Sequence, residues 1–225
     1  MIMPTPMDDA WQQITQGNAV PSYLGGSTGA EKQTLPSGES FVEKPGGTMG
    51  QSANEYDMNQ YLNALGVGVP EAALYGDTFL SRFEDADRFN VNDPAHRSAV
   101  RQDIAPHSAI ANWDILGMVD DNVLIRPDGT PTYVDVGGAG PYRAMGSPKG
   151  TAFGSDVNMI NRLANMPPHS SRGKTFGGIS NEEVGQSFDR YGGQTAFEDA
   201  LQHIRNNQTK KILQQRIEDI SRRVA

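Results

Sequence analysis

Residues 112–138 read NWDILGMVDDNVLIRPDGTPTYVDVGG, and this stretch decides the predicted fold. Two short strand-like runs, 122–125 and 132–136, flank the turn sequence PDG. Asp-Gly between such runs is a strong signal for a β-hairpin. The antiparallel strands of a hairpin would bring the side chains of Asn122 and Asp135 to the same end of the pair.

These two residues have the chemistry of metal ligands. The amide oxygen of Asn122 and the carboxylate of Asp135 are hard oxygen donors of the kind that Mg²⁺ prefers. Asp114 precedes the hairpin, at the end of a helix predicted over residues 110–116, where it could accept a hydrogen bond from an attacking hydroxyl. Structural roles are the alternative, with Asp121-Asn122 as a turn and Asp135 as a cap. Three such residues at this spacing favour a metal-dependent site.

A glycine-rich turn lies far upstream of the hairpin. It consists of Gly25, Gly26, Ser27, Thr28 and Gly29. Glycines let the backbone approach a phosphate closely and expose N–H groups to it. Glycine-rich turns are also common structural features. No Lys-Ser or Lys-Thr pair follows, so the turn is not a Walker phosphate loop.

A lysine and a glutamate follow on successive predicted elements. Lys44 ends the strand predicted over residues 40–44, and Glu55 lies on the amphipathic helix predicted over residues 52–65. A strand lysine that points into a cleft can hold phosphates, and a helix carboxylate can pair with it and fix its direction. Taken alone, each residue is also compatible with an exposed position.

The order of these parts matches what phosphoryl transfer requires, namely backbone donors, a cation, metal ligands and a group that orients the acceptor. It resembles the protein-kinase superfamily, especially its atypical branches. Asp135-Val136-Gly137 is similar to the DFG-like triplet, and Asn112-Trp113-Asp114 resembles the catalytic loop of HipA-like kinases. Residues 24–30 and 112–146 further resemble small kinase-like domains found beside phage head-morphogenesis (MuF-type) proteins and compact bacterial effector kinases. The resemblance spans residues 23–153.

The sequence departs from the kinase pattern at two spacings. Asp114 and Asn122 are eight positions apart, which is longer than usual, so either the loop carries an insertion or the base is Asp120 or Asp121. Lys44 and Glu55 are only 11 positions apart in the sequence, which is shorter than in the kinase pattern. No Ala-Pro-Glu signature is present, which puts ordinary peptide docking in doubt.

The resemblance implies an α+β, two-lobed fold and an ATP- and Mg²⁺-dependent phosphotransferase acting on a protein. We expect an N-terminal extension at 1–21, a strand-rich lobe at 22–86 and a reduced helical lobe at 87–225. The implied catalytic residues are Asp114 and Lys44, with Asn122 and Asp135 for the metal. ATP would contact Lys44, Glu55 and the glycine-rich turn. A kinase-fold enzyme that transfers AMP or another group and an inactive, virion-associated scaffold are the alternatives.

Composition excludes several other functions. The chain of 225 residues has a net charge of −8 and no cysteine, which argues against a nucleic-acid binder and excludes thiolate chemistry. No signal peptide or membrane span is visible, so we expect a protein of the cytoplasm or one delivered into a host cell, with a phage virion or host protein as a possible partner. The basic tail at 205–225 is interpreted as a solvated amphipathic helix.

The remaining patterns predict further elements. Helices are expected at 8–15, from Asp93-Pro94 onward, and in three segments after residue 181, with breaks at 192–193 and near 206. Further strands are expected at 32–35, 72–75 and 78–83.

The sequence leaves the roles of several isolated residues open. The four histidines lack metal-site spacing, although His107 could support the catalytic loop. Trp11 and Trp113 are interpreted as core anchors. Arg143 is either a phosphate or substrate contact or an ordinary surface arginine.

Overall fold

The N-terminal part of the chain builds a five-stranded antiparallel sheet with one long helix beside it. The structure, a computed structural model, describes residues 5–25, 29–46 and 50–225. The strands are ordered β1-β2-β3-β5-β4 across the sheet. The elements are α1 (Pro6–Thr15), β1 (Val20–Gly25), β2 (Ala30–Thr34), β3 (Ser40–Lys44), α2 (Gln51–Ala64), β4 (Ala72–Tyr75) and β5 (Thr78–Arg82).

α1 packs on the sheet through a short apolar face. Thr5 and Asp8 cap its first turn reciprocally, each side chain bonding the other residue's backbone N–H. Met7 and Ala10 are buried in a small cluster that includes Phe41 of β3. This explains why a mostly polar N-terminus is ordered against the sheet. The helix predicted at 8–15 is confirmed.

α2 is buried along most of its length. Met58, Tyr61 and Leu62 have no exposed surface, as expected for the apolar face of a helix. Its polar side chains Asn54 and Glu55 are also buried, because the helix lies between the sheet and the second half of the chain. Polar groups buried in this way need partners, and those partners lie in the candidate site.

The second half of the chain is helical with one small sheet. Its sheet has the order β6-β7-β8 and is antiparallel throughout. The elements are β6 (Asp87–Arg88), α3 (Pro94–Arg101), α4 (Ile104–Ala109), β7 (Val123–Ile125), β8 (Pro131–Tyr133), α5 (Asn158–Ala164), α6 (Ser171–Phe176), α7 (Asn181–Arg190), α8 (Gly193–Ala200) and α9 (Asn207–Val224). The predicted hairpin and the three C-terminal helices are confirmed.

α9 is amphipathic, as predicted, but not all of its basic side chains lie at the surface. Arg216 is only 2% exposed. Its guanidinium donates four hydrogen bonds to backbone carbonyls, those of Ser108, Ala109, Gly154 and Asp156, at 2.7–2.9 Å. The C-terminal helix is thereby fixed to the end of α4, directly before the candidate catalytic loop.

One local prediction fails, and two strands, β1 and β6, were not predicted. The helix expected over residues 110–116 does not form, since α4 ends at Ala109. Ala111 has φ +51°, a left-handed conformation that a helix cannot contain. Asp114 therefore lies in a turn rather than at a helix end. Within the described ranges, no helix combines the length and apolar character that crossing a bilayer requires.

Candidate functional site

A buried ion pair connects the sheet to α2. Lys44, the last residue of β3, places Nζ 2.5 Å from Oε1 of Glu55 on α2. Both side chains are less than 10% exposed. The same ammonium lies 3.4 Å from Oδ1 of Asp135, which follows β8. Three residues from distant parts of the sequence thus meet where the two halves of the chain face each other.

The electrostatics of this group favour a charged lysine. Burial opposes the ammonium of Lys44, but the carboxylates of Asp135 and Glu55 overcome it and raise the pKa of the lysine. Burial raises the pKa of Glu55 to about 7, and the charge of Lys44 opposes that shift. Asp135 differs from its partners, because 44% of its side chain is exposed. The group therefore combines a buried cation, held by Glu55, with a partly exposed carboxylate 3.4 Å from it.

The loop after Asp135 packs closely on its surroundings. The backbone N–H of Gly137 donates to Oδ1 of Asp135 at 3.0 Å. A Cβ at Gly137 would lie 3.0 Å from the carboxylate of Glu55, and one at Gly138 would lie 3.4 Å from the side chain of Asp114. Glycines at these two positions let the Asp135 loop approach both α2 and the Asp114 turn.

Asp114 and Asn122 are held together directly. The side-chain amide of Asn122 donates to the backbone carbonyl of Asp114 at 2.7 Å. The backbone N–H of Asp114 in turn donates to the side chain of Asn112 at 3.2 Å. His107 contacts the amide of Asn112 through Nδ1 at 3.2 Å, so it supports this turn through Asn112. These bonds fix the backbone of Asp114, and about a fifth of its side chain is exposed.

Asp114 lies near other charges. Burial raises its pKa, the neighbouring carboxylates of Asp135 and Asp121 add to this, and the guanidinium of Arg172 opposes it. Arg172, on α6, donates to Oδ1 of Asp114 at 2.7 Å. Asp114, Asp121 and Asp135 therefore share one electrostatic neighbourhood, in which Arg172 pairs with the partly buried carboxylate of Asp114.

The other two candidate bases are placed differently. Asp120 has φ +61° and accepts a hydrogen bond from Ser171 at 2.7 Å, so its carboxylate helps to attach the loop to α6. Asp121 is exposed. Of the three aspartates, Asp114 is the one that lies beside the Asp135 loop.

Only the ends of the glycine-rich turn can be described. Gly25 ends β1 with φ +86°, and Gly29 precedes β2 with φ +68°. Both conformations favour glycine, which explains its use on either side of the turn. Gly26, Ser27 and Thr28 lie outside the described residues. The phosphate-binding hypothesis for this turn stays a prediction.

The donor atoms fit a hard divalent cation. Asn122 uses its amide N–H for Asp114, which leaves the amide oxygen for other ligands, and Asp135 has an exposed carboxylate. Over the described ranges, no cluster of three or more histidine, aspartate or glutamate side chains forms a metal cage. A Mg²⁺ ion held by Asn122 and Asp135 would complete its shell with nucleotide phosphates and water, as is usual for this ion.

Two residues of the site, Arg172 and Lys149, were missed by the sequence analysis. Lys149 is 4% exposed, and its ammonium donates to the backbone carbonyls of Ala111, Gly138 and Gly140, each at 2.8 Å. Burial disfavours this charge and lowers its pKa. Three carbonyl acceptors nevertheless need three N–H donors, which only the ammonium provides. Lys149 thereby connects the Asp114 turn to the Asp135 loop. No local sequence pattern marks it.

Comparison with known proteins supports the architecture. No family model matches the sequence, and no curated protein matches it at a significant level. The crystal structure of CtkA, a proinflammatory kinase from Helicobacter pylori, is similar at 12% identity and a TM-score of 0.52, covering 92% of this chain and 95% of that chain.

Two other structures are also similar, at lower TM-scores. The choline kinase LicA from Streptococcus pneumoniae has 10% identity and a TM-score of 0.41, over 97% of this chain and 99% of that one. An aminoglycoside phosphotransferase from Alicyclobacillus acidocaldarius has 11% identity and a TM-score of 0.42, over 99% of this chain and 94% of that one. The likeness to CtkA, over nearly the whole of both chains, shows that this chain has the protein-kinase-like fold.

Proposed function

We propose that the chain is an ATP- and Mg²⁺-dependent phosphotransferase of the atypical kinase type, with a protein as its acceptor. One observation carries the proposal. The buried pair of Lys44 and Glu55 holds an ammonium 3.4 Å from the partly exposed carboxylate of Asp135, beside Asp114. A fixed cation next to an oxygen metal site and a third carboxylate is what transfer of a phosphoryl group requires.

Each residue has a separate role in this proposal. Lys44 binds the nucleotide phosphates, and Glu55 keeps its ammonium in place. Asn122 and Asp135 hold Mg²⁺, which supplies charge neutralisation at the phosphates. Asp114 aligns or deprotonates the acceptor hydroxyl, an effect of roughly 10²–10⁴-fold in rate.

The finer resemblances belong to the same proposal. The motifs at 24–30 and 112–146 support a relation to the HipA-like and MuF-associated kinases. They are also the support for a phage virion or host-cell partner. The likeness to CtkA concerns the fold and does not identify an acceptor.

The first experiment measures nucleotide binding. ATP with Mg²⁺ at a hundred times the dissociation constant is expected to stabilise the protein by about 2.7 kcal/mol in thermal unfolding. Asp135→Ala should reduce this shift strongly, because it removes a metal ligand. Asp87→Ala, at an exposed position of β6, is the matched control and should leave the shift unchanged. No stabilisation of the wild type at millimolar nucleotide would favour an inactive scaffold.

The second experiment measures transfer. The wild type is expected to move the terminal phosphate of labelled ATP to protein, and Asp135→Ala is expected to lose this activity. Equal activity in both proteins would refute the assignment of the site. Intact-mass analysis of the modified protein identifies the transferred group, since phosphate and AMP adducts differ greatly in mass.

A further inference from the structure

Two exposed arginines flank Trp113, the residue before Asp114. The guanidinium carbons of Arg143 and Arg162 lie 5.4 and 5.3 Å from the centre of the Trp113 ring. These distances are within the range of cation–π contact, so the ring helps to position both groups. Arg143 comes from the loop after Asp135, and Arg162 comes from α5. Two separate segments thus present positive charge at the same aromatic ring.

Within residues 5–25, 29–46 and 50–225, no carboxylate forms an ion pair with either of these arginines. Arg82, Arg101 and Arg205, by contrast, each pair with an aspartate or glutamate. The chain as a whole carries a net charge of −8. A local group of unneutralised cations on an acidic protein is a feature that attracts anions.

A third arginine contacts the candidate catalytic carboxylate itself. Nη2 of Arg172 donates to Oδ1 of Asp114 at 2.7 Å and to the carbonyl of Gly117 at 3.2 Å. Within the described part of the chain, its other guanidinium nitrogens have no acceptor. An incoming carboxylate can therefore bind Arg172 from the open side and weaken its bond to Asp114. Arg143 and Arg162 contact Trp113 and Arg172 contacts the next residue, Asp114, and we call these three arginines the arginine cluster.

We propose that the arginine cluster binds an acidic segment of a polypeptide acceptor, with carboxylates close to the hydroxyl that is modified. The inference rests on the proposed phosphotransferase function, because Asp114 is the group that would orient this hydroxyl. Guanidinium groups bind carboxylates through paired hydrogen bonds, and an adjacent ring holds them flat for this purpose. A long polyanion such as a nucleic acid fits less well, because it needs an extended row of cations.

The direct test is binding of matched peptides without nucleotide. One fluorescein-labelled peptide has a serine flanked by glutamates, and its partner has lysines in their place. The acidic peptide is expected to bind more tightly, and the double variant Arg143→Ala/Arg162→Ala should weaken it roughly three- to thirtyfold, as expected for two ion pairs. Added salt should weaken binding further by screening. Arg88→Ala, at an exposed position of β6, is the control and should bind as the wild type does.

The fluorescence of Trp113 shows whether the peptide binds at the arginine cluster. The chain has two tryptophans, so the variant Trp11→Phe leaves Trp113 as the reporter. The acidic peptide is expected to change the emission of Trp113, and the basic peptide is not. Equal binding of both peptides, an unaffected double variant, or tighter binding of an oligonucleotide would each overturn the inference.

The same protein samples separate this inference from the proposed function. Stabilisation by ATP and Mg²⁺ without preference for the acidic peptide overturns the inference alone. Preference for the acidic peptide without any nucleotide effect refutes the phosphotransferase proposal, and with it the role of the bound segment as an acceptor.

Discussion

Replacing Lys149 with methionine is expected to destabilise the protein and to disorder the candidate site. Methionine fills a similar volume but leaves the carbonyls of Ala111, Gly138 and Gly140 without their donor. Each buried acceptor that loses its partner costs about 1–3 kcal/mol. Removing the buried ammonium returns part of this, because burial disfavours the charge. At about 2 kcal/mol for each carbonyl the gross loss is about 6 kcal/mol, and if the ammonium returns about half of it, the free energy of unfolding falls by a net of about 3 kcal/mol.

Urea denaturation followed by circular dichroism measures this loss. Lys211→Met, at an exposed position of α9, is the matched control and should stay within about 0.5 kcal/mol of the wild type. In thermal unfolding, the Lys149→Met midpoint should fall by roughly 6–12 °C. A variant as stable as the wild type would refute the view that the three carbonyls depend on Lys149.

Activity gives a second, independent measurement for the same variant. Lys149 connects the turn that carries Asp114 to the loop that carries Asp135, so its loss should misplace these groups relative to each other. A displacement of about 1 Å can cost on the order of 100-fold in rate. We expect kcat to fall at least tenfold at a temperature where the variant is folded, with little change in the KM for ATP. Unchanged kcat in the folded variant would exclude a positioning role.

Three other substitutions test separate contacts. Arg172→Gln removes the cation that opposes the raised pKa of Asp114, so the acid limb of the pH profile of kcat/KM should move to higher pH, and an unmoved limb would exclude this coupling. Burial lowers the pKa of His107 to about 3, so the unfolded chain binds a proton below pH 6.5 that the folded chain does not. Stability should therefore fall by about 4 kcal/mol between pH 6.5 and 3.5, and His107→Gln should lack that part of the slope in urea denaturation. Arg216→Met leaves the carbonyls of Ala109, Gly154 and Asp156 without this donor and should cost about 3 kcal/mol in the same assay. The carbonyl of Ser108 still accepts from the backbone N–H of Ala111. The exposed Arg222→Met should cost almost nothing.

The sequence was informative where local chemistry determines structure. The Asp-Gly turn predicted the β7–β8 hairpin, and the apolar spacing and glycine breaks predicted α7, α8 and α9. The pair of Lys44 and Glu55 was proposed from their positions on a strand and the next helix, and the structure places them 2.5 Å apart. Such features depend on turn residues and periodicity, which a single sequence displays directly.

The failed helix at 110–116 shows where local pattern is insufficient. Its apolar residues have helical spacing, but the carbonyls that would continue α4 are used by distant groups. The carbonyl of Ile110 accepts from the backbone N–H of Gly140 at 2.6 Å, and that of Ala111 accepts from Lys149 at 2.8 Å. These long-range bonds, with the left-handed Ala111, replace the helix by a turn. Lys149 and Arg172 were missed for the same reason, because their partners lie far away in the sequence.

The long spacing between Asp114 and Asn122 is explained by a loop that closes on itself. The backbone N–H of Gly117 donates to the carbonyl of Asp114 at 3.1 Å, and that of Asn122 donates to the carbonyl of Leu116 at 3.3 Å. Residues 118–121 therefore project outward as an excursion, while the amide of Asn122 stays 2.7 Å from the Asp114 carbonyl. For Asp120 or Asp121 to act as the catalytic base, residues 118–121 would have to move into the site. The closed loop instead favours an insertion that leaves Asp114 in place beside the Asp135 loop.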